Sequence, residues 1–345
     1  MPDVSTNVDP ASAAWTITDP IVQLRQLGSE RVFPLATADR WILGAASDCT
    51  IQLHDPIGRV SRQHLELLRE DRGAWTARDL GSTNGIRHNG DARGLFQVAP
   101  GDELELGGVT LIAESPRSVA LHELLRRVLG WSTASIAAVD HAFRAVREMA
   151  TLRGVLILRG KGVLHGLARR LHQRTLQDRP FILLGANESG EAGLGRAIDG
   201  MLCVDAGALP SDVATMIAGL SVPGARARLV VCADTARATA RIATMLPRLA
   251  TIEITPIGER AHELERLFEA YGHDAMSELG APALGFRRSD LAWVRGSGVA
   301  TLDEVANGAR RMVALRNWKV TAAAERLGIH HGALIRWAQR RQLRR

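Results

Sequence analysis

The recurrence of apolar residues changes twice along this chain, and each change limits the kind of layer that can form. From about residue 21 to 114, short β-type runs sit between turn signals: VQL, VFPL, RWILG, TIQLHD, HLELLRE, AWTARDL, GIRHNG, FQVA, DELELGG and VTLIAE. Strands returning every 8 to 12 residues or so build an all-β sandwich or barrel. From about 141 to 273 the apolar runs become continuous (VLIL, FILL, MLCVD, LVVCA, TIEIT) and helix-length segments separate them. A strand apolar on both faces is covered on both faces, which implies an α/β parallel sheet. Beyond 285 only helical spacing remains, with a turn at Gly328 before the last helix. Between the first two regimes, Leu121, Leu124, Leu125, Val128 and Leu129 recur at helical spacing. A chain of 345 residues exceeds one ordinary core. The expected organisation is multidomain: a flexible leader (1–20), a β domain (21–114), a helical linker (115–140), an α/β domain (141–273), a helical connection (274–300) and an all-α C-terminal domain (301–345).

At 46% hydrophobic and 23% charged residues, the composition excludes wholesale disorder, collagen and coiled coil. No apolar run is long enough to span a bilayer, and the first twenty residues carry no basic-then-apolar signal. The expectation is a cytoplasmic protein with no membrane partner. Cys49, Cys203 and Cys232 are odd in number and without CxxC spacing, which argues against a disulfide framework and a zinc site. They are expected as buried small hydrophobes, with no metal and no other cofactor. Charge is unevenly placed. Residues 309–345 hold ten basic groups against the single acid Glu325, a net +9 in a chain of +6 overall, so the remainder is −3. A basic end on a nearly neutral body points to a polyanion, with double-stranded DNA the first candidate.

Several ordered motifs refine the first domain: Gly44 to Asp55, Ser61-Arg62-Gln63-His64, Asp79-Leu80-Gly81-Ser82-Thr83-Asn84-Gly85, Asn89-Gly90 and Pro100-Gly101-Asp102. Over about 90 residues this set resembles a forkhead-associated (FHA) domain. The resemblance implies a β-sandwich whose loops at one end bind a phosphothreonine peptide, with Ser61, Arg62, Ser82, Thr83 and Asn84 as binding residues. Turn N–H groups beside Ser61 and Thr83 suit an anion, and the Asn84 amide suits a peptide backbone. His64 and Arg62 brace the loops in the family pattern. The family usually places an arginine after the glycine matching Gly44, whereas this chain has Ala45; Arg59 in a neighbouring loop is the candidate replacement. Thr6, three residues before Asp9, has the threonine-x-x-acid spacing that many FHA domains prefer, so a phosphorylated leader is one candidate ligand.

In the middle domain, a strand, Gly160-Lys161, a helix, Arg179-Pro180-Phe181, Gly195 to Asp205 and Leu229 to Asp234 follow in order. Over about 130 residues this resembles the AAA+ domain of bacterial enhancer-binding activators of sigma-54 polymerase. A working phosphate loop needs GxxxxGK[ST]. Here Arg159-Gly160-Lys161-Gly162-Val163 is too short and has no hydroxyl after the lysine, and Ala206 follows Asp205 where the family places its catalytic glutamate. The GAFTGA loop is absent, only Asn187 to Leu194 lying in its place. Lys161 and Asp205 are left as a vestigial nucleotide site, Lys161 being either a residual phosphate contact or a surface lysine. Asp234 is either a relic sensor or the cap of the helix starting at Ala236.

At the C-terminus, Asn317 to Ile329 followed by Leu334, Ile335 and Trp337 resembles the Fis-type helix-turn-helix that ends the same activators. Ala323 permits close helix packing, Gly328 supplies the positive-φ turn, and Ile329 and Leu334 fill the shared core. The resemblance implies DNA contacts from Lys319, Thr321, His330, His331, Gly332, Ala333, Arg336 and Arg340. The stretch Leu302, Val305, Ala309, Met312, Val313 and Leu315 is expected as a dimer seam, giving a homodimer or higher oligomer. The combined expectation is a non-enzymatic transcription regulator that couples a phosphothreonine-protein input to a DNA-binding output through an ATPase-dead scaffold. The alternatives are an FHA adaptor in a kinase or secretion cluster with vestigial DNA binding, and an active sigma-54-dependent activator ATPase.

Overall fold

A computed structural model describes residues 19–35, 38–70, 73–152, 155–176, 178–221, 227–245, 249–296 and 298–341. Thr6, Asp9, Arg344 and Arg345, and nearly all of the expected leader, lie outside the described residues.

Among the described residues, the N-terminal region is a sandwich of eleven short strands: β1 (Gln23–Gln26), β2 (Val32–Pro34), β3 (Arg40–Gly44), β4 (Ile51–Gln52), β5 (Leu65–Arg69), β6 (Trp75–Asp79), β7 (Ile86–His88), β8 (Asp91–Ala92), β9 (Leu95–Val98), β10 (Glu103–Leu106) and β11 (Val109–Glu114). One sheet runs β2-β1-β11-β10-β7-β8 and the other β4-β3-β5-β6-β9; pairing is antiparallel except between β3 and β4. Alternation decides which face turns inward, as in β10, where Leu104 and Leu106 are buried between partly exposed glutamates. Leu24, Leu43, Leu65, Trp75, Ile86 and Leu104 meet in the shared core.

Ser115 caps α1 (Pro116–Leu129), its hydroxyl accepting the Ser118 N–H at 3.3 Å with proline at the first helical position. A single turn leads to α2 (Ile136–Leu152). The expected border after residue 140 falls inside α2, whose buried Val139, Ala142, Phe143, Val146 and Met149 continue one helical stripe across it. These two helices share a core with Ile112 of β11 and with the middle sheet, so the linker is a packed layer. Arg25 of β1 fastens it: the guanidinium, 2% exposed, bonds Glu114 of β11 at 2.8 Å and Asp140 of α2 at 2.5 Å.

The middle sheet is fully parallel, in the order β13 (Phe181–Leu183), β14 (Met201–Asp205), β15 (Arg228–Ala233), β12 (Val155–Arg159), β16 (Leu249–Glu253). Helices α3 (His165–Thr175), α4 (Gly190–Arg196), α5 (Val213–Ser221) and α6 (Ala236–Ala243) connect the strands. Leu156, Leu158, Cys203 and Val230 face the layer of α1, α2 and α3, while Val155, Ile157, Val204 and Val231 face the core holding α5 and α6 residues. Continuous apolar runs arise because both faces are covered. The cap of α6 is Thr235, which accepts the Ala238 N–H at 3.3 Å; the capping role expected for Asp234 belongs to its neighbour.

The C-terminal region is helical: α7 (Leu264–Leu279), α8 (Arg288–Gly296), α9 (Leu302–Asn317), α10 (Val320–Leu327) and α11 (His331–Arg340). The expected border after 273 lies within α7, which continues to left-handed Gly280. Thr301 and Glu304 close a capping box on α9. The expected dimer seam is corrected: Val305, Ala309, Met312 and Val313 are buried against Leu267, Phe268 and Tyr271 of α7 inside this one chain. No helix among the described residues is long and apolar enough to cross a membrane.

Candidate functional site

The loops at one end of the sandwich bring most of the expected binding residues together. His64, completely buried, organises them: its Nδ1 accepts the Ser61 N–H at 3.0 Å and its Nε2 lies 3.0 Å from the Gly85 carbonyl. The ring is therefore the neutral Nε2–H tautomer, tying the turn before β5 to the turn before β7. Across that brace the Ser61 hydroxyl accepts the Thr83 N–H at 3.0 Å, and the two hydroxyl oxygens stand 3.5 Å apart. Asn84, exposed, donates its amide to the Arg59 carbonyl at 2.7 Å. The arrangement holds hydroxyls and a side-chain amide at the rim of a rigid scaffold.

Two expected contributors are placed differently. The Ser82 hydroxyl is buried without a hydrogen-bond partner, and the Ser82 N–H is held by Asp79 at 2.8 Å; this side chain faces the protein. Arg59 supplies its carbonyl to the cluster, but its guanidinium lies beside Asp55 and Gly108. Asp55 accepts the N–H groups of Ile57, Arg59 and Val60 at 2.6–3.1 Å and so shapes that loop. Arg62, in the same turn as Ser61, is exposed and has no ion pair among the described residues. It follows Ser61 directly in the chain, whereas Ala45 stands after Gly44.

In the middle region, Lys161 is exposed in the short turn joining β12 to α3. It lines a cavity of about 670 Å³ together with Arg159, Asp234, Glu253, Thr301 and Asp303. Asp205 ends β14, accepting the Gly207 N–H at 2.8 Å, and its other oxygen lies 3.7 Å from His165 Nε2. A residue missed by sequence reasoning sits over the turn: the carboxylate of Asp303, in the first turn of α9, faces the Val163 N–H and lies against Gly162 and Gly166. Burial pushes this carboxyl up, while the Val163 N–H, Arg170 and His165 pull the other way. An acid from α9 thus occupies the amide-lined entrance of α3, where a helix start favours an anion. Nothing local signals this, since 140 residues separate the partners.

At the C-terminus, left-handed Gly328 (φ 67°) turns α10 into α11 over a core of Ala323, Leu334 and Trp337. Ile335, expected among the core pattern, is 36% exposed. His330 caps α11, its Nδ1 accepting the Gly332 N–H at 3.1 Å, and its ring lies tilted against His331 with centroids 4.4 Å apart. Lys319, Thr321, His331, Arg336 and Arg340 are exposed, while Gly332 and Ala333 are half-buried. Arg336 folds back beside Gly332, one turn earlier on the helix. The other described basic residues of this region are engaged within the chain. Arg310 pairs with Glu278 at 2.9 Å, Arg316 with buried Asp290, and Arg311, Arg326 and Arg341 lie over tryptophan rings.

The FHA-domain family model matches residues 41–107. No curated protein matches the chain. Among solved structures, an FHA domain analysed for phosphothreonine-dependent interactions is 32% identical over 27% of this chain and 93% of its own, with a TM-score of 0.25. The FhaA FHA domain, solved with the intracellular domain of another protein, is 33% identical over 26% of this chain and 96% of its own, with a TM-score of 0.24. Mycobacterium tuberculosis EmbR, in complex with a low-affinity phosphopeptide, is 23% identical over 28% of this chain and 24% of its own, with a TM-score of 0.26. The matched span runs from Trp41 in β3 to Gly107 after β10 and contains the His64-braced loops described above. Residues 41–107 of this chain are an FHA domain.

Proposed function

We propose that this chain is a non-catalytic regulator that reads a phosphothreonine-bearing protein with its FHA loops and double-stranded DNA with its last helix pair. The observation that carries the reading is the 3.0 Å bond from the Thr83 N–H to the Ser61 hydroxyl, beside exposed Arg62. A phosphate entering there takes the place of an internal acceptor, gaining the Thr83 N–H, the Ser61 hydroxyl and the Arg62 guanidinium at once. Asn84 then bonds the peptide backbone, releasing the Arg59 carbonyl.

The parallel sheet supports the degenerate AAA+ reading, because the turn of Lys161 and the end of β14 both lie at the carboxyl edge where such sheets bind ligands. Turnover is not part of the proposal: the turn is short, Ala206 follows Asp205, and Asp303 sits where a phosphate would enter. For the output, Arg336 and Arg340 stand exposed on the helix that follows the Gly328 turn, the placement a major-groove reader needs. A dimer spanning two half-sites has to use a face other than the covered side of α9. One observation favours the adaptor reading, in which these helices only pack: Arg310, Arg311, Arg316, Arg326 and Arg341 are engaged internally.

The test of the input is calorimetry of the full chain with a phosphothreonine peptide and its unphosphorylated twin. Only the phosphorylated peptide is expected to bind, and Ser61→Ala is expected to weaken it by about 1.5–3 kcal/mol, roughly 10- to 100-fold, the worth of a hydrogen bond to a charged group. Equal binding of the two peptides overturns the reading.

A further inference from the structure

Cys203 of β14 and Cys232 of β15 bring their sulfur atoms to 3.6 Å. Strand register does this. Cys203 lies opposite Val230 and Cys232 opposite Asp205, so the two cysteines are a two-residue step apart on neighbouring parallel strands and share a face of the sheet. That face is covered by α3, whose first residue, His165, carries an imidazole nitrogen within 4.8 Å of both sulfurs. The cysteines are 0% and 4% exposed, while the His165 side chain, at 29%, reaches solvent. Asp205 stands behind the ring, its Oδ2 3.7 Å from His165 Nε2.

We propose that His165, Cys203 and Cys232 form a binding site for one thiophilic divalent cation of the zinc class, held by two thiolates and one imidazole with its fourth position open to water. Two Zn–S bonds of about 2.3 Å at a tetrahedral angle set their sulfurs about 3.8 Å apart. The 3.6 Å between Cys203 and Cys232 matches that span without movement of either strand. His165 needs only a rotation of its partly exposed side chain to close on the ion. Asp205 is a positioning residue: a carboxylate behind a ligating histidine fixes its tautomer and raises its basicity. The charge balances as well, because two thiolates neutralise the divalent ion in a core where an unpaired charge is costly. Each thiol gives up its proton to solvent as its metal–sulfur bond forms. The bound ion ties the start of α3 to the carboxyl ends of two central strands.

The test uses the full chain, reduced, stripped of metal with a chelator, and titrated with cobalt(II) and then zinc(II). One cobalt per chain is expected, with thiolate-to-cobalt charge-transfer absorption that zinc abolishes by displacement. Cys203→Ser and Cys232→Ser should each lose that absorption, whereas Cys49→Ser, at the third buried cysteine, should keep it. Asp205→Asn should lower metal affinity about 10- to 100-fold while leaving the metal-free melting temperature unchanged. The charge-transfer band of the unaltered chain is decisive whether or not a serine variant folds: its absence at one equivalent overturns the proposal. So does a Cys203→Ser chain that binds cobalt with the same absorption.

Discussion

Gly44 shows how a single missing Cβ holds the FHA loops in place. A side chain there would collide with the Arg62 carbonyl and crowd Gln63, because the end of β3 passes directly against the turn that carries Ser61. The Ala45 and Ala46 N–H groups bond the Ser61 and Arg62 carbonyls at 3.0 Å, so the close approach is hydrogen-bonded as well as steric. Overpacking of this kind costs about 1–3 kcal/mol. Gly44→Ala is expected to lower the denaturation midpoint by that amount and to weaken phosphopeptide binding with it; unfolding of residues 19–115 as an isolated fragment, beside the full chain, locates the loss. Ser82 is placed at the same scale. Motif spacing places Ser82 beside Thr83, but in the turn between β6 and β7 the Ser82 N–H is held by the Asp79 carboxylate and its hydroxyl is buried.

Among the elements, α2 decides how the FHA domain is joined to the rest. Asp140 accepts from the buried Arg25 guanidinium and, at 2.7 Å, from the Gly28 N–H. Asp140→Ala leaves Arg25 paired with Glu114 but strips an acceptor from the buried guanidinium and from the Gly28 N–H, so it should destabilise the chain by about 1–3 kcal/mol in denaturant titration, with Asp140→Asn losing less. A second prediction concerns the junction of α4 and α5. Asp212 accepts from the Ser189 hydroxyl at 2.7 Å and from the Gly190 and Glu191 N–H groups at 2.8 and 3.1 Å. The Ser189 bond, then the two N–H groups, hold its carboxyl down at about 2, against an ordinary 3.8. A lowered folded pKa means the contribution is complete above pH 3.8, declines as pH falls, and is lost below about 2. Protection factors at Gly190 and Glu191, taken against the intrinsic exchange rate at each pH, should fall as pH drops across that window and stay constant there in Asp212→Asn.

For the whole molecule, the surplus of positive charge is smaller at the surface than its sequence count. Of the basic residues from 309 to 341, Lys319, Arg326, Arg336 and Arg340 are exposed without an ion pair among the described residues, Arg326 lying over Trp318, whereas Arg310 and Arg316 pair with acids and Arg311 and Arg341 lie over tryptophan. If α11 enters a major groove, Arg336→Ala should cost about 1–3 kcal/mol and relax preference at one base position. Arg340→Ala should weaken all duplexes alike and reduce the slope of log affinity against log salt by about 1. Arg310→Ala, which removes a pair with Glu278, should leave both unchanged. Mobility-shift titrations at several salt concentrations separate the three outcomes, and a chain lacking residues 316–345 that still binds DNA returns the adaptor reading to first place.

Local chemistry was legible in the sequence. The ordered turn motifs around Ser61, Thr83 and Asn84, the switch from spaced strands to continuous apolar runs, and the glycine turn at 328 all arise within a few residues of where they act. Periodicity and turn propensity therefore expose them. Tertiary structure decided everything that depends on which face meets which. It covered the apolar stripe of α9 with α7 and so removed the expected dimer seam. It also carried Asp303 to the start of α3 and turned Arg59 toward Asp55. Cys203 and Cys232 carry no metal-binding spacing in the sequence, yet parallel register sets their sulfurs 3.6 Å apart. A pattern states that a face is apolar or a residue charged; its partner is chosen by long-range packing, whose register no short window of sequence contains.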